Sequence, residues 1–391
     1  MAKRSLNVAG LFAGIGGIEL GLRRAGHHSS LLCEIDPGAN AVLRERFPDA
    51  VLADDVREIK SIGKVDLLAA GFPCQDLSQA GRTAGIDGRN SGLVGHVFRL
   101  LDAAPKGPRW LLLENVSFML QLDRGRGMRL LVDELESRGF HWAYRVVDTQ
   151  AFGLPQRRQR VILLASRTED PREVLFVDDV GPAVTEFRPG MWCGFYWTEG
   201  LRGLGWAVDA VPTLKGGSTI GIPSPPAIWD SSDNSFTTPD IRDAERLQGF
   251  EVDWTAPALG VSGVRRGHRW KLVGNAVSVP VAQWVGDRLA SPGRFDSGRL
   301  DGDVVSGVSW PKAACGGPGQ RPSAVAVSMW PINRPRPPLA RFLEHDRTPL
   351  SARAAEGFNK RLNEGNLNPL PAFSLAMERY VRRLTSTASV A

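Results

Sequence analysis

The chain has 391 residues, of which 42% are apolar and 23% charged, and its formal net charge is +6. This allows a full catalytic domain with one or two smaller units, is ordinary for a soluble protein with a packed core, and leans toward a polyanionic partner without requiring one. Its four cysteines (Cys33, Cys74, Cys193, Cys315) form no CxxC pair and have no histidine cluster beside them, which argues against a metal site or a disulfide framework and suits a reducing cytoplasm. No uninterrupted apolar run approaches membrane-spanning length, so no membrane partner is expected.

Lys3 and Arg4 precede an apolar run from Leu6 to Leu22 that superficially resembles a signal peptide. Five glycines and Glu19 interrupt it, and it reads instead as a first strand over 6–12, a Gly-rich turn and a helix ending near Gly26. A second strand follows over 30–35, with Asp36-Pro37 at the N-cap and first turn of the next helix. The short, nearly continuous apolar runs at 65–70, 110–114 and 161–165 suit buried strands of a parallel sheet. Strands alternating with helical stretches predict an α/β fold with a doubly wound, mostly parallel sheet, in which ligands collect at the carboxyl ends of the strands.

Beyond about residue 175 the texture changes. Residues 176–240 are rich in Gly, Pro, Ser, Thr and Trp and predict a small irregular or β domain. Helical pattern returns at 241–248 and 277–289. Residues 293–325 read as a Gly/Pro/Ser-rich linker, and two helices are expected near 351–363 and 371–384.

Several motifs carry chemistry. Phe12-Ala13-Gly14-Ile15-Gly16-Gly17 follows a strand and opens a helix, so its backbone can approach a ligand closely. Glu34, about 20 residues on, has the position from which an acid commonly accepts ribose hydroxyls, with helix capping as the alternative. Asp55 is placed to reach an adenine edge. In Gly71-Phe72-Pro73-Cys74-Gln75-Asp76-Leu77-Ser78, Cys74 lies just past a strand end, and 79–92 reads as a mobile polar loop. A lone cysteine is more often a small buried hydrophobe than a nucleophile. Glu114 follows an apolar run, where desolvation would raise its pKa and let it hold a proton. Arg158 and Arg160 are expected on one face of an extended segment, able to hold a phosphate or a base carbonyl, or simply solvated.

Together these blocks resemble the DNA cytosine-C5 methyltransferase family of restriction-modification or phage-defence type. The matching residues are Phe12–Gly17, Glu34, Asp55, Pro73-Cys74-Gln75, Glu114-Asn115-Val116, Gln156-x-Arg158-x-Arg160, Arg246-Leu247-Gln248-Gly249-Phe250 and Gly274-Asn275-Ala276-Val277, in family order across roughly 5–292. The resemblance implies an S-adenosylmethionine-dependent fold with a catalytic domain over 1–175 plus 272–292, a target-recognition domain over 176–271, and a linker with a partly helical extension over 293–391. It implies Cys74 as the nucleophile at cytosine C6, Glu114 on the N3/N4 edge, and Arg160 assisted by Arg158 at O2. The base must leave the duplex for this.

The implied S-adenosylmethionine site comprises Phe12, Ala13, Gly14, Gly16, Gly17, Glu34, Ile35, Asp55, Val56, Pro73, Asn275 and Val277. Ile35 departs from the bulkier residue many members carry there. Contacts to double-stranded DNA are expected from Gln75, Ser78 and Gln79 and from a Thr-Leu stretch, Thr213, Leu214, Lys215, Gly216 and Gly217, for each of which a plain turn is the alternative. Arg265, Arg266, Arg269 and Lys271 would suit phosphate, or form a solvated loop. The implied protein is a cytoplasmic monomer that uses no metal. The extension is read as an appendage packing on the core, against the sharper alternative of docking a cognate restriction or defence protein. Two other functions stay open: a tRNA cytosine methyltransferase, whose Cys-Phe-Thr block is missing here, and a DNA-binding subunit without catalysis. Amino-methyltransferases of DNA are disfavoured, since neither Pro-Pro pair precedes an aromatic residue.

Overall fold

The computed structural model describes residues 4–72, 92–104, 106–183, 185–216, 223–305 and 307–388. The strands are β1 Asn7–Leu11, β2 His28–Cys33, β3 Val51–Ala53, β4 Leu67–Gly71, β5 Trp110–Val116, β6 His141–Asp148, β7 Gln156–Arg157, β8 Gln159–Ser166, β9 Trp192–Phe195, β10 Ala207–Val208, β11 Val211–Pro212, β12 Ala227–Asp230, β13 Ser235–Thr238, β14 Leu300–Asp303, β15 Ala313–Gly316, β16 Ser323–Val325 and β17 Thr348–Pro349. The longer helices are α1 Gly17–Arg24, α2 Pro37–Arg46, α3 Leu93–Asp102, α4 Arg126–Ser137, α5 Ile241–Leu247, α6 His268–Asn275, α7 Val279–Ala290, α8 Ala352–Glu364 and α9 Pro371–Ala388.

A ten-stranded sheet forms the body, in the order β14-β16-β15-β6-β8-β5-β4-β1-β2-β3. Strands β3, β2, β1, β4 and β5 are mutually parallel. From β5 outward every pairing is antiparallel. The α/β class therefore holds, with a parallel half and an antiparallel half. The run at 161–165 falls in β8, which is buried but antiparallel to both neighbours. A continuous apolar run reports that both faces of a strand are covered, and says nothing about its direction. Helices α1 and α7 cross in backbone contact: a Cβ on Gly21 would lie 2.5 Å from Ala282 Cβ and 2.6 Å from Val279 O.

The linker expected over 293–325 is instead part of this sheet. Strand β15 pairs with β6, β16 with β15, and β14 with β16. Arg145 on β6, fully buried, donates to the carbonyls of Leu175, Asp178 and Ser328 and pairs with Asp179 at 2.7 Å. One side chain thus sews the C-terminal segment to the loop after β8. Gly, Pro and Ser suggested a linker, yet Ala313-Ala314-Cys315 is a buried strand paired on both sides. At its end Gly316 leaves room for Trp142, its partner on β6, which would lie 2.6 Å from a Cβ there.

The smaller unit is a five-stranded sheet, β10-β9-β12-β13-β17, antiparallel throughout. Its last strand and the two helices covering it come from the C-terminal extension. Phe358 of α8 and Phe373 of α9 pack with Phe195, Trp229 and Phe236 in one aromatic core. The expected boundary of 176–271 is therefore corrected. The small unit draws on 187–238 and 348–386, while α5 and α6 pack in the core shared with the body. The two C-terminal helices themselves lie where the sequence placed them, with Ser351 capping α8.

Candidate active site

The turn after β1 is built from left-handed backbone at Phe12 (φ 55°), Gly14 (φ 56°) and Gly16 (φ 83°). A side chain in that conformation is strained, and such strain persists where the surroundings hold it, often at functional sites. Gly17 is fixed by packing: a Cβ there would meet the Val277 carbonyl at 2.3 Å. Val277 and Gly17, 260 residues apart in the chain, thus touch through backbone. Nothing lies within 4 Å of a Cβ on Gly14, which faces open space. Glu34, at the end of β2, accepts the Gly14 amide on one oxygen and the Ile35 and Asp36 amides on the other, all at 2.8 Å. Each carboxylate oxygen accepts more than one hydrogen bond, so this bracing leaves acceptor capacity.

Ile35 is 67% exposed beside this cleft. Asp36 caps α2 and also meets His268 Nε2 at 2.9 Å and Lys271 Nζ at 3.4 Å, ties that hold its carboxyl below the usual range despite partial burial. Asp55 grips the Arg57 guanidinium, and this bond lowers its pKa to about 2. Neither Asp55 nor the buried Val56 lines the cleft; the Val56 carbonyl accepts from Arg99 at 2.9 Å. Ala13 lies beneath the turn, its amide on the Cys33 carbonyl.

On the far wall, Glu114 at the end of β5 is buried, and Arg160 Nε lies 3.0 Å from its Oε1. Burial raises the Glu114 pKa, opposed by Arg160 and then Arg158. The adjacent Asn115 is 4% exposed and donates to the Phe72 carbonyl at 3.0 Å, which fixes the end of β4. Arg158 lines the same cavity as Arg160 but is held differently. It sits in the break between β7 and β8, 1% exposed, and donates to the carbonyls of Leu214, Gly274 and Ala276. Alternation along one strand does not apply, because the strand is interrupted at this residue. Gln156 and Gln248, both fully buried, extend the junction: Gln156 bonds the Leu214 amide and the Leu247 carbonyl, and Gln248 bonds the Val273 carbonyl and Ser278.

The Thr213–Gly216 stretch lies against this junction. A Cβ on Gly274 would be 2.3 Å from Lys215 C, and one on Gly216 would be 2.5 Å from Asn275 Oδ1. Thr213 Oγ1 donates to the Arg157 carbonyl, Leu214 is buried, and Lys215 pairs with Glu199 above the Tyr196 ring. Of the basic cluster, Arg269 is 7% exposed and bonds Glu245, Asp253 and Thr255, while Arg265 and Arg266 are exposed. Arg269 is therefore an internal brace and not a phosphate contact. Pro73, Cys74, Gln75, Ser78, Gln79 and Gly217 lie outside the described residues.

A single cavity of about 650 Å³ joins the two walls. It is lined by Phe12, Gly14, Glu34 and Ile35 on one side and by Glu114, Arg158, Arg160 and Asn275 on the other. Lys271, expected in a phosphate-binding cluster, lines it too; Asp36 and Leu93 also line it and were missed, since a helix cap and an apolar residue carry no sequence motif.

Among proteins of known kind, the chain is 47% identical over 383 residues to the Type II methyltransferase M2.BsuMI of Bacillus subtilis strain 168, covering 96% of this chain and 98% of that one. The chain belongs to the C-5 cytosine-specific DNA methylase family. The model of that family matches residues 6–186. Type II methyltransferase M.Bsp6I of a Bacillus strain is 28% identical, covering 73% of this chain and 98% of that one. Among solved structures, the Dnmt2 methyltransferase of S. pombe superposes with a TM-score of 0.52 at 16% identity, covering 73% of this chain and 97% of that one, a likeness of fold. The C-5 methylase match ends at residue 186, whereas the Bacillus subtilis relative aligns along 96% of the chain.

Proposed function

We propose that this C-5 methylase transfers a methyl group from S-adenosylmethionine to C5 of a flipped-out cytosine in a specific double-stranded DNA sequence, as the modification partner of a restriction or defence system in the bacterial cytoplasm. The observation that carries it is one cavity walled by the Gly-rich turn and Glu34 on one side and by Glu114 and Arg160 on the other. Its volume of about 650 Å³ lies within the usual range for small-molecule sites. The residues present fit an adenosyl donor: Phe12 offers a ring, Glu34 braced carboxylate oxygens, and Gly14 unobstructed backbone. When bound, the donor supplies an electrophilic methyl on a sulfonium.

The chain's own groups do the rest. Cys74 follows β4, whose last residue, Gly71, lines the cavity beside Glu114. Its thiolate adds to cytosine C6, which makes C5 enamine-like. Glu114, its pKa raised by burial, holds a proton toward N3 and so drains the charge that attack creates. Arg160 holds O2, and Arg158 acts at one remove by locking the carbonyls around Asn275. After C5 is methylated it loses its proton, and the C5–C6 double bond reforms as Cys74 leaves. The other three cysteines are buried, with thiols pushed up to about 12, 12 and 11, which suits none of them to attack.

Bisulfite sequencing of a plasmid from expressing cells tests substrate and target together. One DNA context should be fully converted to 5-methylcytosine, and Cys74→Ser should abolish it while donor binding by calorimetry survives. Full methylation by that variant would falsify the mechanism.

A further inference from the structure

The C-terminal extension does not merely cover the small domain. Its helix α8 is linked, through the turn between β9 and β10, to the stretch that this reading assigns to target recognition, and one side chain makes the polar part of that link. Arg361, in the last turn of α8, donates from Nε to the Glu199 carbonyl and from a terminal nitrogen to the Trp197 carbonyl, both at 2.9 Å. These carbonyls belong to the turn between β9 and β10. The turn is seated on the helix end by glycines: Gly200 has φ 123° with Arg361 Cβ 3.3 Å from where its own Cβ would be, and a Cβ on Gly365 would be 2.6 Å from the Gly200 carbonyl.

That turn in turn holds 213–216. Tyr196 donates its hydroxyl to the Thr213 carbonyl at 2.7 Å, and its ring lies 3.6 Å under the Lys215 ammonium. Glu199 pairs with the same ammonium. Lys215 and Gly216 then abut Gly274 and Asn275 at the cavity. A continuous run of contacts therefore links α8 to the active-site rim. The steps are hydrogen bonds, an ion pair, a cation–π contact and backbone packing, which transmit position because close-packed contacts tolerate little displacement.

We propose that Arg361 is a positioning residue for target recognition: its guanidinium sets the 196–204 turn so that Glu199 and Tyr196 aim Lys215 at the DNA. This rests on the assignment of 213–216 as a DNA-reading stretch of a C-5 methylase. Lys215 is the group that meets DNA, and Arg361 acts through it, so the C-terminal helices count as part of the recognition apparatus.

The test uses the full chain, steady-state methylation, and duplex oligonucleotides carrying the sequence that the wild type methylates or single-base variants of it. Arg361→Ala should raise KM for the cognate duplex about tenfold, the worth of one charged hydrogen bond, and lower discrimination against single-base variants by a similar factor. Its kcat at saturating DNA should stay within about twofold and its donor affinity unchanged, the pattern of lost binding and not lost chemistry. Arg361→Lys should recover part of the loss. Glu199→Gln, which leaves both carbonyl clamps in place, should shift KM and discrimination the same way by less. A drop in kcat with unchanged KM and discrimination in Arg361→Ala overturns the proposal. If that variant does not fold, wild-type KM and discrimination in Glu199→Gln overturn it. No 5-methylcytosine from the wild type on any DNA would instead sink the underlying assignment.

Discussion

The side of the cavity proposed to hold the donor and the small five-stranded unit proposed to read the target are built by opposite means. The donor side is mostly backbone: left-handed turn residues, three amides on Glu34, and the Val277 carbonyl against Gly17. Most of it comes from one stretch of about thirty residues. The recognition unit is side-chain packing, an aromatic core assembled from 187–236 and 350–380. The first is specified by short-range geometry and so repeats as a motif. The second needs only apolar residues of adequate size, from wherever the chain supplies them.

If these regions are energetically separate, damage to one should spare the other. Phe373 is fully buried and packs against five aromatic rings. Phe373→Ala should cost about 3–5 kcal/mol and abolish DNA binding, while calorimetry still detects donor binding. Simultaneous loss of donor binding would show that the two regions fold as one.

Glu19 probes the donor side. It is 1% exposed under the turn, and Gly10 leaves room for its carboxyl: a Cβ there would lie 2.2 Å from Oε1. Burial pushes its pKa from 4.5 up to about 7. Between those values the folded protein holds a proton that the unfolded chain has released, so this residue's contribution to stability falls as pH rises through that window and levels off above about 7. The loss amounts to about 3 kcal/mol. Glu19→Gln should therefore raise Tm relative to wild type at pH 8 but not at pH 4.5; equal effects at both pH values would remove the buried carboxyl from the account.

Glu114 lies between the two regions. Glu114→Gln should lower kcat about a hundredfold, with donor affinity retained. Because its pKa is raised, the proton it supplies is lost only as pH climbs above the usual carboxylate range, so the variant should flatten the alkaline limb of the rate profile. The smallest effect belongs to the cap of α8. Ser351→Ala removes the acceptor for the Ala354 amide and should cost about 1 kcal/mol in denaturant unfolding without altering donor binding.

Particular residues show what could be read in advance. Glu34 and the glycine turn were legible because strand, turn and acid are contiguous and each has a stated physical job. Arg158 was expected to share a face with Arg160 by strand alternation; the two do line one cavity, but across a break in the strand, and the Arg158 guanidinium is bound to three carbonyls. The basic group at 265–271 resembled a phosphate patch, but Arg269 is consumed by Glu245 and Asp253, partners 24 and 16 residues away. Residues 293–325 looked like a linker because small residues are equally suited to loops and to closely packed strands.

The amino-acid sequence by itself carried the blocks proposed here as nucleophile, acid and donor turn, because each is written in one short contiguous segment. It also determined the α/β class, through apolar runs long enough for strands and too short for anything else. Only the tertiary structure decided how far the antiparallel half of the sheet extends, and that the last strand and two helices complete the small five-stranded unit. Those outcomes depend on which distant apolar faces meet, and burial is non-directional, so no local pattern encodes the partner.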